Sequence, residues 1–348
     1  MDELSMLRMA AQRLVGPPAA SPAEAVRWLT AMQGQELPGA LLAVALRSGS
    51  TRAEVTAALD DGSVVRSWPM RGTLHLTAAE DLPWLLALLT ERVVRGVEKR
   101  RAIVALTEAD LEHAREVAVA ALTGGRRLAR AELLGELAAA GVPADGPRGY
   151  HLLWWLSQTG TLVMGPTRDG EQLFVLLDEW VPAPRRLERE EALGELVLRY
   201  FRGHGPATVK DLVRWAGTTV GDVKAGLALA RPQLETLTVA GTEHLMDPGT
   251  PQRLAAARAE AAGVHLLPGF DELVLGYADR SCTVPPEHAD RIVPGANGVF
   301  RPTVVAGGRV VATWRAGRGK ARPLQVEAFG ELAPGVRAAV EQQYPALP

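Results

Sequence analysis

The residues best placed to do chemistry lie together in Met32-Gln33-Gly34-Gln35-Glu36, where two glutamines flank a glycine at the expected end of the first amphipathic helix, on Gly34. Glycine lets the backbone turn sharply, so both amides can point at one spot and hold a water between their carbonyl oxygens. The same spacing also describes two ordinary exposed loop amides. Elsewhere the usual reactive arrangements are missing. There is no GxxxxGK[ST] phosphate loop, no GxSxG elbow and no HExxH. His75, His113, His151, His204, His244, His265 and His288 are scattered, with no pair at ligand spacing on one helix. His75, in an alternating strand, reads as a half-buried structural residue. Cys282 is the single cysteine, so neither an intramolecular disulfide nor a multi-cysteine zinc site is available, and it reads as a small packed side chain.

Positive charge supplies the second signal. Between Arg291 and Val326 stand Arg291, Arg301, Arg309, Arg315, Arg318, Lys320 and Arg322, with no acid among them. A second basic stretch runs from Arg92 to Arg101 at a helix end, where it also complements the helix dipole. The whole chain has 38 basic and 40 acidic residues, a net charge of −2, which excludes a uniformly polycationic binder. Nucleic-acid contact therefore depends on local clusters that follow phosphates, although strand alternation would send some arginines to opposite faces.

These groups need a scaffold, and 348 residues with 47% hydrophobic content suffice for two or three domains with sizeable cores. The start, MDELSMLRMAAQRL, is acidic and helical in pattern. The longest apolar run, near Leu82–Leu89, is far short of the ~20 residues a membrane span needs. A cytoplasmic protein without membrane contact is expected.

Helix-start signals, a hydroxyl followed three residues later by an acid, occur at Ser21/Glu24, Thr51/Glu54, Thr77/Glu80, Thr107/Asp110, Thr208/Asp211 and Thr219/Asp222. Strand pairs follow groups of helices three times: Val64–Trp68 with Thr73–Thr77, Thr161–Met164 with Gln172–Leu176, and Leu234–Val239 with His244–Met246. Ser21–Trp28 also reads position for position like Thr208–Trp215, with a partial copy at Ala129–Leu134. Three helices and a hairpin make a winged helix, so an α+β chain of three tandem winged-helix modules is expected. We place them at 1–106, 107–185 and 186–248, followed by a small, mainly β domain at 249–348. Pro69-Met70-Arg71-Gly72 projects Arg71 beyond the first hairpin toward a nucleic acid, the alternative being a salt bridge to Asp60 or Asp61.

Further segments carry a resemblance: Trp68–Leu76 in the first wing, Leu267-Pro268-Gly269-Phe270-Asp271, Leu275–Ser281, Arg301-Pro302-Thr303 and Gly308–Arg315. With Gln33-Gly34-Gln35 they resemble the winged-helix DNA glycosylases of the azinomycin-resistance type, the AlkZ- and YcaQ-like proteins, over nearly the whole chain. That resemblance implies a C-shaped molecule around double-stranded DNA, removing N-alkylated purines without metal or cofactor. Its catalytic motif, two glutamines around an apolar residue, maps onto Gln33 and Gln35, with Gly34 in the middle position. Glu36 is an alternative base. The expected DNA-contacting residues are Arg52, Arg66, Arg71, Arg301, Arg315, Arg318, Lys320 and Arg322. The competing readings are a non-enzymatic tandem winged-helix DNA binder, which would read bases with the helix begun by Arg52, and a protein-assembly module.

Overall fold

The computed structural model describes residues 3–96, 103–317 and 323–348. Local sequence chemistry sets most helix starts. Ser21, Thr107, Thr208 and Thr219 each accept the backbone N–H three residues on, and Thr51 does the same for Glu54. Glu54, Asp110 and Glu132 cap back onto the preceding backbone; these bonds hold Glu54 and Glu132 below the ordinary carboxyl range, and at Asp110 the Thr107 hydroxyl does so first, with the backbone bond second. Their capping contribution is thus present at neutral pH and fades only as acid protonates them. Thr77 is an exception. It is buried in a strand opposite Val65, and the following helix, Leu82–Leu89, starts at Asp81 instead. No helix among the described residues is long and apolar enough to cross a membrane.

The chain folds into two compact units, Thr56–Ala192 and Met1–Val55 with Leu193–Pro348. In the first unit β2 (Val64–Met70) pairs with β3 (Thr73–Ala78), and β4 (Leu162–Arg168) with β5 (Glu171–Leu176). The two hairpins join through Arg66 opposite Met164, giving an antiparallel order β3-β2-β4-β5. Both faces of this sheet are covered. Val65, Val163 and Val175 face Leu82 and Leu86, while Met164 and Phe174 face Leu111, Leu133 and Leu152. Strands covered on two sides lose the polar alternation of an exposed wing, which explains their near-continuous apolar sequence.

In the second unit, helix Glu3–Ala11 packs on helix Thr250–Ala261 through Met6, Met9, Ala10, Leu254 and Ala257. The latter helix departs from the strand-and-loop expectation after residue 249. Leu254 is the one large apolar residue on its buried face, beside Thr250, Ala257 and Ala261, too few for helical periodicity to show, yet alanine is the best helix former. Helices Val209–Ala216 and Val220–Ala230 precede a hairpin of β6 (Glu235–Val239) and β7 (Thr242–Met246). The C-terminal sheet runs β11-β10-β9-β8, all antiparallel, from β8 (Val264–Leu267), β9 (Thr303–Ala306), β10 (Arg309–Ala316) and β11 (Leu324–Ala328). Helix Pro334–Gln343 covers β8, with Val340 beside Leu266 and Trp314.

The hairpins turn on Arg71-Gly72, Asp169-Gly170, Ala240-Gly241 and Gly307-Gly308, each pair with positive φ at both residues. That is the conformation of the two-residue turns whose twist matches the strands.

Candidate functional site

The glutamine segment begins where helix Pro22–Leu29 stops. Termination comes at Thr30 (φ 70°), whose N–H caps the Arg27 carbonyl, and not at Gly34 as the sequence suggested. The chain then extends through β1 (Met32–Gln33), and Gly34 is not among the positive-φ glycines, so no glycine turn is needed there. Glu36 closes the segment. Its carboxylate accepts the Gly39 N–H at 2.8 Å and caps helix Leu37–Ser48, which occupies the side chain with a structural task. Glu36-Leu37-Pro38 is itself a helix start, an acid followed by proline in the first turn.

Gln33 is buried and Gln35 exposed. The Gln33 backbone N–H donates to Glu272 Oε1 at 2.9 Å. Behind it lies a buried polar network that sequence reasoning did not assemble. Trp215 Nε1 donates to Glu272 Oε2 at 2.9 Å, and His204 Nε2 lies 3.3 Å from the same oxygen. Next to Glu272, Asp271 receives both terminal nitrogens of Arg47 at 2.9 Å, and Arg47 also donates to Gln12 Oε1 at 2.8 Å. Gln12 Nε2 donates to the Tyr277 hydroxyl, which donates to the His204 carbonyl. Burial pushes the Tyr277 and Tyr200 phenols far up, so both stay protonated donors. Arg8 is 2% exposed and lies over the Tyr277 ring, 3.9 Å from the Asp211 carboxylate. The available signal was the pair Asp271-Glu272, two adjacent acids after an apolar strand.

The expected basic residues are spread more widely. Arg52 is half-buried at its helix start, and Arg66 on β2 donates to Gln172 Oε1 at 2.6 Å. Arg71 sits at the hairpin turn with φ 55° and meets His75 Nε2 at 3.1 Å. His75 is fully buried, more so than its strand pattern suggested, and donates from Nδ1 to the Thr73 carbonyl, leaving Nε2 to accept from Arg71. Asp60 accepts from the Thr167 N–H and hydroxyl, and Asp61 from the Ser63 N–H.

In the C-terminal sheet the acid-free run is not acid-free in space. Pairing of Thr313 with Glu327 brings that acid to Arg291 at 3.0 Å and Arg301 at 3.5 Å. Arg315 Nε donates to Gln325 Oε1 at 2.7 Å, and Arg301, Thr313, Arg315, Gln325 and Glu327 line a cavity of 410 Å³. Arg318, Lys320 and Arg322 lie outside the described residues, as does the 97–102 end of the other basic stretch. Arg280, over the Phe300 ring, is pushed down to about 10 by burial and by neighbouring Arg214.

A protein-family model described as DNA glycosylase AlkZ-like matches residues 26–347. An interstrand DNA cross-link repair glycosylase from Streptomyces sahachiroi is 29% identical over 324 residues, 88% of this chain and 85% of that protein. The solved structure of a Streptomyces sahachiroi DNA glycosylase, AlkZ, is similar with a TM-score of 0.83 at 26% identity, covering 99% of this chain and 95% of that one. The mixed helix-and-sheet architecture is therefore shared with a solved DNA glycosylase.

Proposed function

The chain belongs to the AlkZ-like family of DNA glycosylases, and from that premise we propose that it hydrolyses the N-glycosidic bond of N3- or N7-alkylated purines in double-stranded DNA, with a water held by the amides of Gln33 and Gln35. The observation that carries this reading is the main-chain anchor of Gln33 on buried Glu272, with Gln35 two residues on at the solvent. β1 ends at Gln33 and the chain bends at Gln35 and Glu36, so the two side chains leave the backbone only two residues apart, one from an anchored position and one at the solvent.

The chemistry asks little of the protein. An N7-alkylated purine is already cationic. When its C1′–N9 bond breaks, the electron pair cancels that charge and the base leaves neutral without a general acid. What remains is to stabilise the oxocarbenium developing at C1′ and to deliver water there, the water's proton passing to solvent. Amide oxygens present fixed negative dipole ends to that charge, a contribution that grows toward the transition state. The cross-link activity named for the Streptomyces sahachiroi relative extends the reading to bulky and bridging adducts of the same nitrogens.

A sequence-reading regulator fits less well. The helix Arg52–Asp60 turns Glu54 and Asp60 to solvent, where they repel phosphates, and helix Pro147–Gln158 is buried from His151 onward. The direct test is release of free base from duplex DNA containing 7-methylguanine, compared with undamaged duplex. Release from the damaged duplex alone is expected, and binding without release would return the regulator reading.

DNA affinity is expected to fall steeply with salt and to depend little on sequence. Removing one phosphate-binding cation should flatten the log–log salt slope by about 0.9. Replacing Arg315, Arg318, Lys320 and Arg322 by alanine tests this on the C-terminal stretch. Unchanged affinity and slope would move the DNA surface elsewhere.

A further inference from the structure

We infer that Glu272 is a positioning residue for Gln33, its buried carboxylate fixing the Gln33 backbone on one oxygen while Trp215 and His204 clamp the other. The inference rests on Gln33 being catalytic.

Glu272 is 1% exposed. Burying an ionised carboxylate costs several kcal/mol unless hydrogen bonds replace its water, and an apolar side chain would fill the same volume at lower cost. Here the replacement donors come from distant parts of the chain, Gln33, His204 and Trp215, and they divide between the two oxygens. The aromatic rings fix that arrangement. His204 stacks on Tyr200 at 4.7 Å and tilts against Trp215 at 5.1 Å, so the clamp cannot swing away.

The neighbouring residue completes the grip. Asp271 holds Arg47 in helix Leu37–Ser48, while Glu272 holds Gln33 before that helix. A side chain at Gly39 would meet Pro268 at 3.4 Å and the Gly269 carbonyl at 3.5 Å, so the helix start is packed against the same loop. The Leu267–Asp271 segment and Glu272 thus support the glutamine segment and its following helix at three points. A catalytic amide must be held within about 0.5 Å, and a displacement near 1 Å costs about a hundredfold in rate.

Glu272→Gln preserves shape but offers one acceptor oxygen and one NH2 group. Either the Gln33 N–H or the Trp215 Nε1–H then faces another donor. The experiment measures single-turnover excision of 7-methylguanine at saturating enzyme, duplex affinity, and amide hydrogen exchange over residues 31–36. It uses wild type, Glu272→Gln, Gln33→Ala and the combined variant. Glu272→Gln is expected to exchange faster in 31–36 and to excise about tenfold more slowly, with affinity within about twofold. On the Gln33→Ala background the same change is expected to cost less than about threefold, because its effect passes through Gln33.

A wild-type rate for Glu272→Gln beside a slow Gln33→Ala enzyme overturns the positioning role alone, as does a full, multiplicative penalty in the combined variant. Wild-type excision by Gln33→Ala overturns the catalytic reading itself, a separate failure. If Glu272→Gln does not fold, Trp215→Phe removes one donor from the far oxygen. It is expected to slow excision about threefold or more at unchanged affinity, and an unchanged rate overturns the inference.

Discussion

Alanine at both Gln33 and Gln35 is expected to lower the single-turnover excision rate on 7-methylguanine duplex about a hundredfold or more, with little change in DNA affinity. A hundredfold loss corresponds to about 2.7 kcal/mol of transition-state stabilisation, within reach of two hydrogen-bonding groups at a developing charge. Gln33→Ala alone should cost more than Gln35→Ala. Gln33 is buried and its main chain is held by Glu272, which limits the positions open to its side chain, whereas Gln35 is exposed. Glu36→Gln provides the contrast. As the helix cap it should cost about 1 kcal/mol or less of stability and leave excision near wild type. Full activity in the double alanine variant, or complete loss with Glu36→Gln, would take the role away from the glutamines.

What the sequence made legible was local. Thr107 with Asp110, and Thr208 with Asp211, announce helices because cap and partner are three residues apart and need nothing else. Asp169-Gly170 and Gly307-Gly308 announce turns for the same reason, positive φ being a property of the residues themselves. The reading failed where the partner is remote. Gln33 and Glu272 are 239 positions apart, and Arg47 and Asp271 are 224 apart. Neither pairing leaves a periodic trace in one sequence. Glu327 escaped notice as a neighbour of Arg301 because it falls just beyond the acid-free run, and only the register of β10 with β11 folds it back. Glycine is the usual left-handed helix terminator, which points to Gly34, whereas helix Pro22–Leu29 ends on Thr30 in a tight turn with φ 70° and ψ −51°, outside the left-handed helical region.

Loss of the Asp271 charge is expected to be the most damaging single change to stability in the network behind the glutamine segment. Asp271→Asn keeps an N-cap acceptor for the Leu273 N–H, so the start of helix Glu272–Leu275 survives. It removes the anion facing Arg47, however, and both side chains are 1% exposed, so the guanidinium is left charged in a site without water. Breaking a buried pair from one side typically costs about 3–5 kcal/mol, against a total stability of about 5–15 kcal/mol for a folded domain. Gln12 still accepts one Arg47 N–H at 2.8 Å, but a neutral amide cannot balance the charge. Removing the partner as well should reverse much of the loss, because a buried ion pair replaced from both sides by neutral groups is often near neutral in stability. Arg47→Met with Asp271→Asn is therefore expected to be more stable than Asp271→Asn alone in urea unfolding. Loss of less than about 1 kcal/mol in Asp271→Asn, or no recovery in the double variant, would show that the pair is not what holds this loop against helix Leu37–Ser48. Excision separates the two acids further: the double variant should regain fold while Glu272 still anchors Gln33, so its rate should recover with its stability.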